Sequence, residues 1–267
     1  MRNGRSCRDG PVPRAVYTRP DSGINTRLAG RDIDRGQAKR HHGGIEAWPM
    51  AQCWAKRGTK VKLLSASASP FGRKVKIVAI EKGVMDRIEF VPVATAPLAP
   101  NEQLARDNPL AKIPTLLLDD GRALYDSLVI CDYLDTLHAG AKAIPASGPR
   151  RWEVLTVHAL GNGICDAAIL CRYENALRPE ALRWPDWTQG QMKKVVGGLD
   201  WLESNVAVVG SAGARDADLG QIAVACALGY LDFRFADMNW RAARPRLAGW
   251  FAEFAKRPSM QRTMPAA

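Results

Sequence analysis

The spacing of apolar residues changes along the chain and divides it into stretches with different predicted structure. From Lys60 onward, KVKLLSA and IEFVPVA predict two strands, and TLLL and RALY, which flank an Asp-Gly pair, predict a hairpin. Between the first two strands, PFGRKVKIVAIEKG predicts a helix, because Val75, Val78 and Ala79 fall on one face and Gly83 favours a helix end. The stretch SLVICDYLDTLH predicts a second amphipathic helix after the hairpin.

The order of these elements, β-α-β followed by β-β-α, is that of a thioredoxin-like domain, which we place at residues 60–140. After a linker at residues 141–149 the strand pattern stops. The helical patterns that follow cover residues 150–178, 186–208, 218–234 and 245–257. Asp218 and Gln221 have the spacing of a capping box at the start of the third pattern. We therefore predict an α/β thioredoxin-like domain followed by an all-α helical domain at residues 150–267.

Residues 1–59 differ from the rest because they are rich in Arg, Gly and Pro and show no apolar period. We predict that they form a disordered N-terminal extension. The first arginines are not followed by an apolar core of about 7 to 15 residues, so we expect no secretory signal. Alternatively, translation begins at Met50 and the extension is spurious. In either case, a chain that starts at Met50 should be as stable as the full chain.

Composition and charge narrow the classes of function. The chain has 267 residues, 46% apolar and 24% charged, which is typical of one or two soluble globular domains. Its longest apolar run, IAVACALGYL, is about half as long as a membrane span, so we expect no membrane partner. The net charge is +11, but residues 1–59 hold 12 basic and 5 acidic residues and account for most of it. The later basic residues, among them Lys74 and Lys76, are scattered, so we expect no nucleic-acid partner.

The six cysteines are thinly spread and include no CxxC pair. Cys165 and Cys171 are six residues apart, a spacing that suits neither a zinc site nor a disulfide scaffold. Four of the six lie in apolar helical stretches, where cysteine acts as a small buried hydrophobic residue. We therefore expect no metal site and infer a reducing, cytoplasmic location.

Three motifs carry a resemblance to a known family. SPFGRKV, NPLAKIPTL and ALYDSLVICDYLD occur in this order before a helical half that contains GLDWLE and DLGQIAVACALGYLDFR. Over about residues 60–262 the chain resembles bacterial glutathione S-transferases. The resemblance implies the glutathione transferase architecture and an enzyme that conjugates glutathione to an electrophilic small molecule in detoxification. It also implies glutathione as co-substrate with no further cofactor, and a homodimer.

Ser69 is the proposed catalytic residue. It directly precedes Pro70, which predicts an N-cap followed by the first helical residue. Its hydroxyl then lies at the positive end of a helix dipole, which can stabilise an anion. From the local sequence alone, Ser69 could be a cap and nothing more. The resemblance places it where the family has its activating Ser, Tyr or Cys, and so implies that Ser69 donates a hydrogen bond to the glutathione thiolate. Ser65 and Ser67 are interpreted as strand and loop residues, with Ser67 kept as the alternative donor.

The resemblance also implies which residues bind glutathione. In KIPT it implies a cis proline, Pro114, whose turn exposes the backbone of Ile113 to pair with the cysteinyl part of the tripeptide. Lys112 could reach a glutathione carboxylate, although an exposed lysine is usually solvated, and Pro114 could simply begin a strand. In YDSLVI, Ser127 would bind the γ-glutamyl carboxylate while Asp126 faces the amino group. Both residues could equally be helix caps.

Three further residues complete the predicted site. Phe71, in the first motif, is included with the glutathione-binding residues. Asn162 and Asp166 lie one turn apart in the stretch that the family uses to wall the electrophile site. For Asp166 the alternative is a solvated or ion-paired carboxylate.

Two alternative functions and the predicted homodimer also depend on these residues. A glutathione-binding relative with a structural or regulatory role and little turnover would show the same motifs. A thiol-disulfide oxidoreductase is disfavoured, because the hydroxyl of Ser69 cannot form a mixed disulfide. The helix at 150–178 has more apolar residues than one intrachain face needs, which predicts that a partner subunit covers part of it. Alternatively, all of them fit the core of one chain, in a long helix that is buried on two sides. These residues are Trp152, Leu155, Val157, Leu160, Ile164, Ile169 and Leu170.

Overall fold

The structure, a computed structural model, describes residues 60–265. The predictions made for the extension at residues 1–59, including the start at Met50, lie outside the described residues. Below, the sheet half denotes residues 60–140 and the helical half residues 150–265.

The sheet half contains four strands and three α-helices. They are β1 (Val61–Ser65), α1 (Pro70–Glu81), β2 (Ile88–Pro92), α2 (Glu102–Asp107), β3 (Thr115–Leu117), β4 (Ala123–Leu124) and α3 (Ser127–Thr136), with a 3₁₀ turn at Met85–Arg87. The sheet order is β2-β1-β3-β4, with β1 parallel to β2 and β3 antiparallel to both β1 and β4. The predicted order β-α-β, β-β-α is therefore confirmed. The sequence did not predict α2, because Leu104 is its one buried residue and six residues carry little periodicity.

The helical half contains no strand among its described residues. Its α-helices are α4 (Pro149–Ala176), α5 (Pro185–Ser204), α6 (Val206–Val209), α7 (Leu219–Arg234), α8 (Pro245–Phe254) and α9 (Pro258–Gln261), with 3₁₀ turns at Glu180–Leu182 and Ala236–Met238. The pattern predicted as one helix at 186–208 is split, because Asn205 leaves helical geometry with φ −123° and ψ 29°. The pattern at 245–257 ends early, because Arg257 is extended before Pro258, as a residue before proline prefers.

Helix α7 forms the centre of the helical half. Every residue from Leu219 to Leu231 is buried, and the predicted capping box of Asp218 and Gln221 is present. Helix α4 packs closely against α7 at Gly161, where a Cβ atom would lie 2.7 Å from the carbonyl carbon of Ala223. The close approach of two backbones therefore depends on a residue without a side chain.

Helix α1 joins the two halves and runs antiparallel to α7. Near the start of α1, the buried Arg73 lies against Gly229, close to the end of α7. At the other end of α1, Glu81 accepts hydrogen bonds of 3.0 and 2.6 Å from Arg257. Arg257 also donates to the carbonyl of Ala214, just ahead of α7. These contacts hold both ends of α1 against the helical half.

Helix α4 is long and apolar enough to cross a bilayer, and it is the one helix of residues 60–265 with that property. The sequence prediction considered uninterrupted apolar runs and did not single it out. Half of its most apolar window is buried inside the protein, where α4 packs between α5 and α7. The packing of α4 is that of a core helix.

Candidate functional site

Strand pairing brings three chain segments to one edge of the sheet. Leu64, near the end of β1, pairs with Thr115 at the start of β3, so the turn before β3 lies beside the carboxyl end of β1. Strand β4 is antiparallel to β3 and leads directly into α3. The start of α1, the turn at residues 112–114 and the start of α3 therefore lie together, as the predicted glutathione site requires.

Ser69 caps α1 as predicted. Its Oγ accepts a hydrogen bond of 3.1 Å from the backbone N–H of Gly72, and Pro70 is the first helical residue. Accepting this bond leaves the hydroxyl hydrogen of the half-buried Ser69 able to donate. Ser65 is fully buried beneath this turn, and a side chain on Gly72 would overlap its hydroxyl. Ser67 is exposed in the loop between β1 and α1.

The turn before β3 is held by Asn108, which the sequence analysis did not single out. The side chain of Asn108 is buried, and its Nδ2 donates 3.0 Å hydrogen bonds to the carbonyl of Lys112 and to Oγ1 of Thr115. The Ile113–Pro114 peptide bond is cis, which confirms that expectation. Within residues 60–265 no hydrogen bond uses the backbone of Ile113. Its N–H and C=O can therefore pair with an extended ligand.

The start of α3 has the predicted capping geometry. Asp126 is the N-cap, and its Oδ1 accepts a 2.9 Å hydrogen bond from the backbone N–H of Leu128. Ser127 is the first helical residue and is buried. Asp126 is exposed, and strand pairing places the first turn of α3, with its free amides, at the same sheet edge as Ser69. Capping thus accounts for the positions of both residues and leaves their predicted contacts to a ligand open.

A buried lysine lies behind this edge, and the sequence analysis missed it. Lys74 was treated there as one of several scattered basic residues, but it is only 1% exposed. Its Nζ lies 2.8 Å from Nε2 of His158 and 2.7 Å from Oδ1 of Asn162. Because an ammonium group has donors and no acceptor, Nε2 of His158 accepts and the ring is neutral. Burial and the charge of Lys74 lower the pKa of His158 to about 3.

The sequence did contain a signal for this network. Lys74 precedes Ile77 and Val78 by three and four residues, which places it on the buried face of α1. His158 and Asn162 are four residues apart and therefore share a face of α4. Periodicity therefore placed Lys74 on the buried face of α1, and its residue type alone led to its assignment to solvent.

The two residues predicted for the electrophile site lie on the same face of α4. Asn162 is held by Lys74, whereas Asp166, one turn further, has an exposed carboxylate at the rim. Partial burial raises the pKa of Asp166, the charges of Lys112 and Lys74 oppose that rise, and Asp126 adds to it. These three charged residues come from α1, the turn before β3 and the start of α3, so Asp166 lies within electrostatic range of the sheet edge. The ring centroid of Phe71 lies 5.9 Å from Nζ of Lys74.

The described cysteines do not take part in this site. Cys131, Cys165, Cys171 and Cys226 are free and buried, as predicted, whereas Cys7 and Cys53 lie outside the described residues. Burial raises the pKa of Cys131 to about 12, so its thiol stays protonated. Residues 60–265 contain no group of three or more His, Cys, Asp or Glu side chains placed to hold a metal ion.

Comparison with known proteins assigns the family. Residues 68–137 match the family model for "Glutathione S-transferase, N-terminal domain", and residues 185–253 match that for "Glutathione S-transferase, C-terminal domain". An uncharacterised GST-like protein of Escherichia coli K12, YibF, is 33% identical over 205 residues, which cover 77% of this chain and 98% of that protein. The chain belongs to the glutathione S-transferase family. The resemblance found in the sequence and the predicted fold class are thereby confirmed.

Solved structures of other glutathione S-transferases are similar over the same part of the chain. A family member from Pseudomonas fluorescens Pf-5 with bound glutathione is 45% identical, with a TM-score of 0.75, and covers 78% of this chain and 100% of its own. A glutathione S-transferase from Methylobacillus flagellatus KT with glutathione bound is 36% identical, with a TM-score of 0.69, and covers 78% and 100%. The fold of this transferase family member is therefore that of proteins that hold glutathione.

Proposed function

We propose that the chain is a glutathione transferase that binds glutathione, ionises its thiol and transfers the sulfur to an electrophilic carbon. One observation carries this proposal: the half-buried hydroxyl of Ser69 caps α1 at the sheet edge where the Ile113 turn and the start of α3 also lie. The bound glutathione in the relatives from P. fluorescens and M. flagellatus supports the choice of ligand.

Glutathione would bind along this edge as an extended peptide. The backbone of Ile113 pairs with the cysteinyl residue, because its N–H and C=O make no hydrogen bond within residues 60–265. The amides at the start of α3 and the hydroxyl of Ser127 bind the γ-glutamyl carboxylate, and Asp126 faces the amino group. Lys112 is exposed beside the turn and pairs with the glycyl carboxylate. Phe71 forms part of the wall next to the sulfur.

The chemistry needs a thiolate at the start of α1. The thiol proton leaves to solvent, and the hydroxyl of Ser69 then donates a hydrogen bond to the sulfur anion, which the dipole of α1 also stabilises. The thiolate attacks the electrophilic carbon. A carbon–sulfur bond forms, and either a leaving group departs with the bonding electrons or, with an activated alkene, the adjacent carbon takes up a proton. Ser69 remains a hydrogen-bond donor throughout.

The electrophile would lie along α4 beyond Asn162 and Asp166. A cleft of about 690 Å³ follows there, lined mainly by apolar side chains that include Leu98, Tyr173 and Trp184. Its exposed leucines and tryptophan suit the apolar part of a second substrate. Another structure of the P. fluorescens protein, 44% identical to this chain with a TM-score of 0.71, contains S-(propanoic acid)-glutathione, in which the sulfur carries a carbon substituent.

The homodimer and the cytoplasmic location, with a role in detoxification, are part of the same proposal. Of the apolar residues on α4 that predicted a partner surface, Val157 and Ile164 belong to the core of their own subunit, which corrects that part of the argument. Trp152 is 66% exposed and remains available to a partner, whereas the exposed Leu170 lines the cleft proposed for the electrophile. Sedimentation at micromolar concentration should give the mass of two chains, and a single-chain species that still binds glutathione would contradict the dimer.

The proposed activity is tested by binding and turnover of the full chain. The protein should be retained on immobilised glutathione and released by free glutathione, and it should conjugate at least one member of a panel of aryl halides, epoxides and enals. Specific retention without turnover of any electrophile would instead favour the glutathione-binding relative with a structural or regulatory role. Absence of retention would contradict both.

A further inference from the structure

Arg73 is one of two buried arginines in residues 60–265, and it is the one without a carboxylate partner. Arg244 is equally buried and pairs with Asp200 at 2.7 Å, whereas Arg73 forms no ion pair in the described part of the chain. Nε and Nη2 of Arg73 donate to neutral oxygens, at 3.4 Å to Oγ1 of Thr263 and 3.1 Å to the carbonyl of Met260. Its Nη1 makes no hydrogen bond within residues 60–265. A buried charge without a counter-ion is costly, so the surroundings of Nη1 call for an explanation.

Nη1 of Arg73 lies at the wall of a cavity of about 330 Å³. A Cβ atom on Gly229 of α7 would lie 2.4 Å from this nitrogen and 3.8 Å from the ring of Phe251 on α8, and all three residues line the cavity. The cavity is bounded by α1, α7, α8 and the segment after α8. It shares no lining residue with the predicted glutathione site or with the cleft along α4, so it is a separate site.

Arg73 supplies the uncompensated charge of this cavity. Asp232 is the other charged residue in the wall, and its carboxylate accepts hydrogen bonds of 2.8 Å from Nε1 of Trp240 and 2.7 Å from Arg241. Arg241 therefore compensates the charge of Asp232 and leaves that of Arg73 unpaired. The rest of the wall is uncharged, and its apolar residues include Phe233, Phe251 and Met264. A ligand that fits this wall has an apolar body and one negative charge.

We propose that this cavity binds a small aromatic carboxylate, whose acid group pairs with Arg73 and whose ring system packs against Phe251. Nη1 of Arg73 has two hydrogens to donate to carboxylate oxygens, and such a charge-assisted bond supplies the missing counter-ion. A cavity of about 150 Å³ is enough to enclose benzene, so one of about 330 Å³ suits two fused rings. The phenylalanines of the wall favour an aromatic body. The site therefore takes an acid of the size of naphthoate, independently of glutathione.

The test compares two naphthalene probes that differ in charge. 2-Naphthoate and 2-naphthylmethanol have the same ring system, and only the first carries a negative charge. By isothermal titration calorimetry the full chain should bind 2-naphthoate at least about tenfold more tightly, the ratio expected from a hydrogen bond between charged groups. Saturating glutathione should leave both affinities unchanged, because the two sites share no residue.

Two sets of variants locate the bound acid. Arg73→Met should remove most of the preference for 2-naphthoate. Met264 is 64% exposed at the edge of the cavity, so Met264→Glu should weaken 2-naphthoate binding several-fold relative to the neutral Met264→Gln. The two Met264 variants change no buried residue and test the proposal even if Arg73→Met fails to fold.

Arg178→Met is the control for binding elsewhere, because Arg178 lines the cleft along α4 and is already paired with Glu174. This variant should bind both probes like the parent. Equal binding of the two probes by the parent, competition by glutathione, a preference that survives in Arg73→Met, or equal binding of 2-naphthoate by Met264→Glu and Met264→Gln would overturn the proposal. Loss of the preference in Arg178→Met would place the acid in the cleft along α4 and would overturn it as well.

Discussion

His158 offers a quantitative test of the buried network behind the site. Burial and the charge of Lys74 lower its pKa to about 3 in the folded chain, whereas an unfolded histidine titrates near 6.5. Below about pH 6.5 the unfolded chain therefore binds a proton that the folded chain does not. The stability associated with a neutral His158 is complete above that pH and is lost as the pH falls from about 6.5 towards 3.

The size of this effect follows from the difference between the two pKa values. At pH 5 the unfolded histidine is almost fully protonated and the folded one is neutral, which lowers the free energy of unfolding by about 2 kcal/mol relative to pH 7. In His158→Gln the side chain does not titrate, and its amide oxygen can still accept from Lys74. The variant should therefore lose about 2 kcal/mol less stability than the parent between these pH values.

Urea unfolding of the parent and the variant at pH 7 and pH 5 measures this difference. His138→Gln is the matched control, because His138 bonds to Asp135 at 2.9 Å, away from Lys74. Because His158 is still present in His138→Gln, this control should still lose the stability that depends on a neutral His158 between pH 7 and pH 5. If the parent and His158→Gln lose the same stability on acidification, the histidine is not held neutral by burial and Lys74, and the description of the network is wrong.

Two further predictions concern the packing of the helical half. Gly161→Ala should lower the free energy of unfolding by about 2 kcal/mol, because its Cβ would meet the α7 backbone, whereas Gly163→Ala on the same helix meets open space and should raise it by about 0.5 to 1 kcal/mol. Equal effects of the two substitutions in urea melts would contradict the close contact of α4 and α7. Arg257→Met should cost about 2 kcal/mol, because it removes two hydrogen bonds to a partly buried carboxylate, whereas Lys256→Met breaks an exposed pair and should cost less than about 0.5 kcal/mol. Equal melting temperatures of these two variants would contradict the stabilising role of the pair between Arg257 and Glu81.

The parts of the fold that were predicted correctly are those with local signals. The starts of α1, α3 and α7 each have a capping side chain that is read from adjacent residues. The break at Asn205 has no proline or glycine next to it, so apolar periodicity joined α5 and α6 into one predicted helix. Helix α8 ends at Phe254, three residues before the predicted end, ahead of the extended Arg257 and Pro258.

The same distinction applies to the site. Ser69 and Asp126 were identifiable because a cap beside a recognisable motif has a defined place in the fold. The position of Lys74 depends on His158, a partner 84 residues away, and no local pattern reports that contact. Charged residues were assigned to solvent by default, and the packing of helices buried Lys74.

The central claim is that Ser69 stabilises the thiolate of bound glutathione, and a titration of thiolate absorbance in the complex tests it most directly. In the parent the midpoint should lie below the value of about 8.5 typical of a free thiol. Ser69→Ala should raise the midpoint by about one unit or more through loss of a hydrogen bond to a charged acceptor. Its affinity for glutathione should stay within a few-fold, because Ile113, Asp126 and Ser127 hold most of the tripeptide. Ser67→Ala, as the control, should titrate like the parent; an unchanged midpoint in Ser69→Ala would show that Ser69 is only a helix cap.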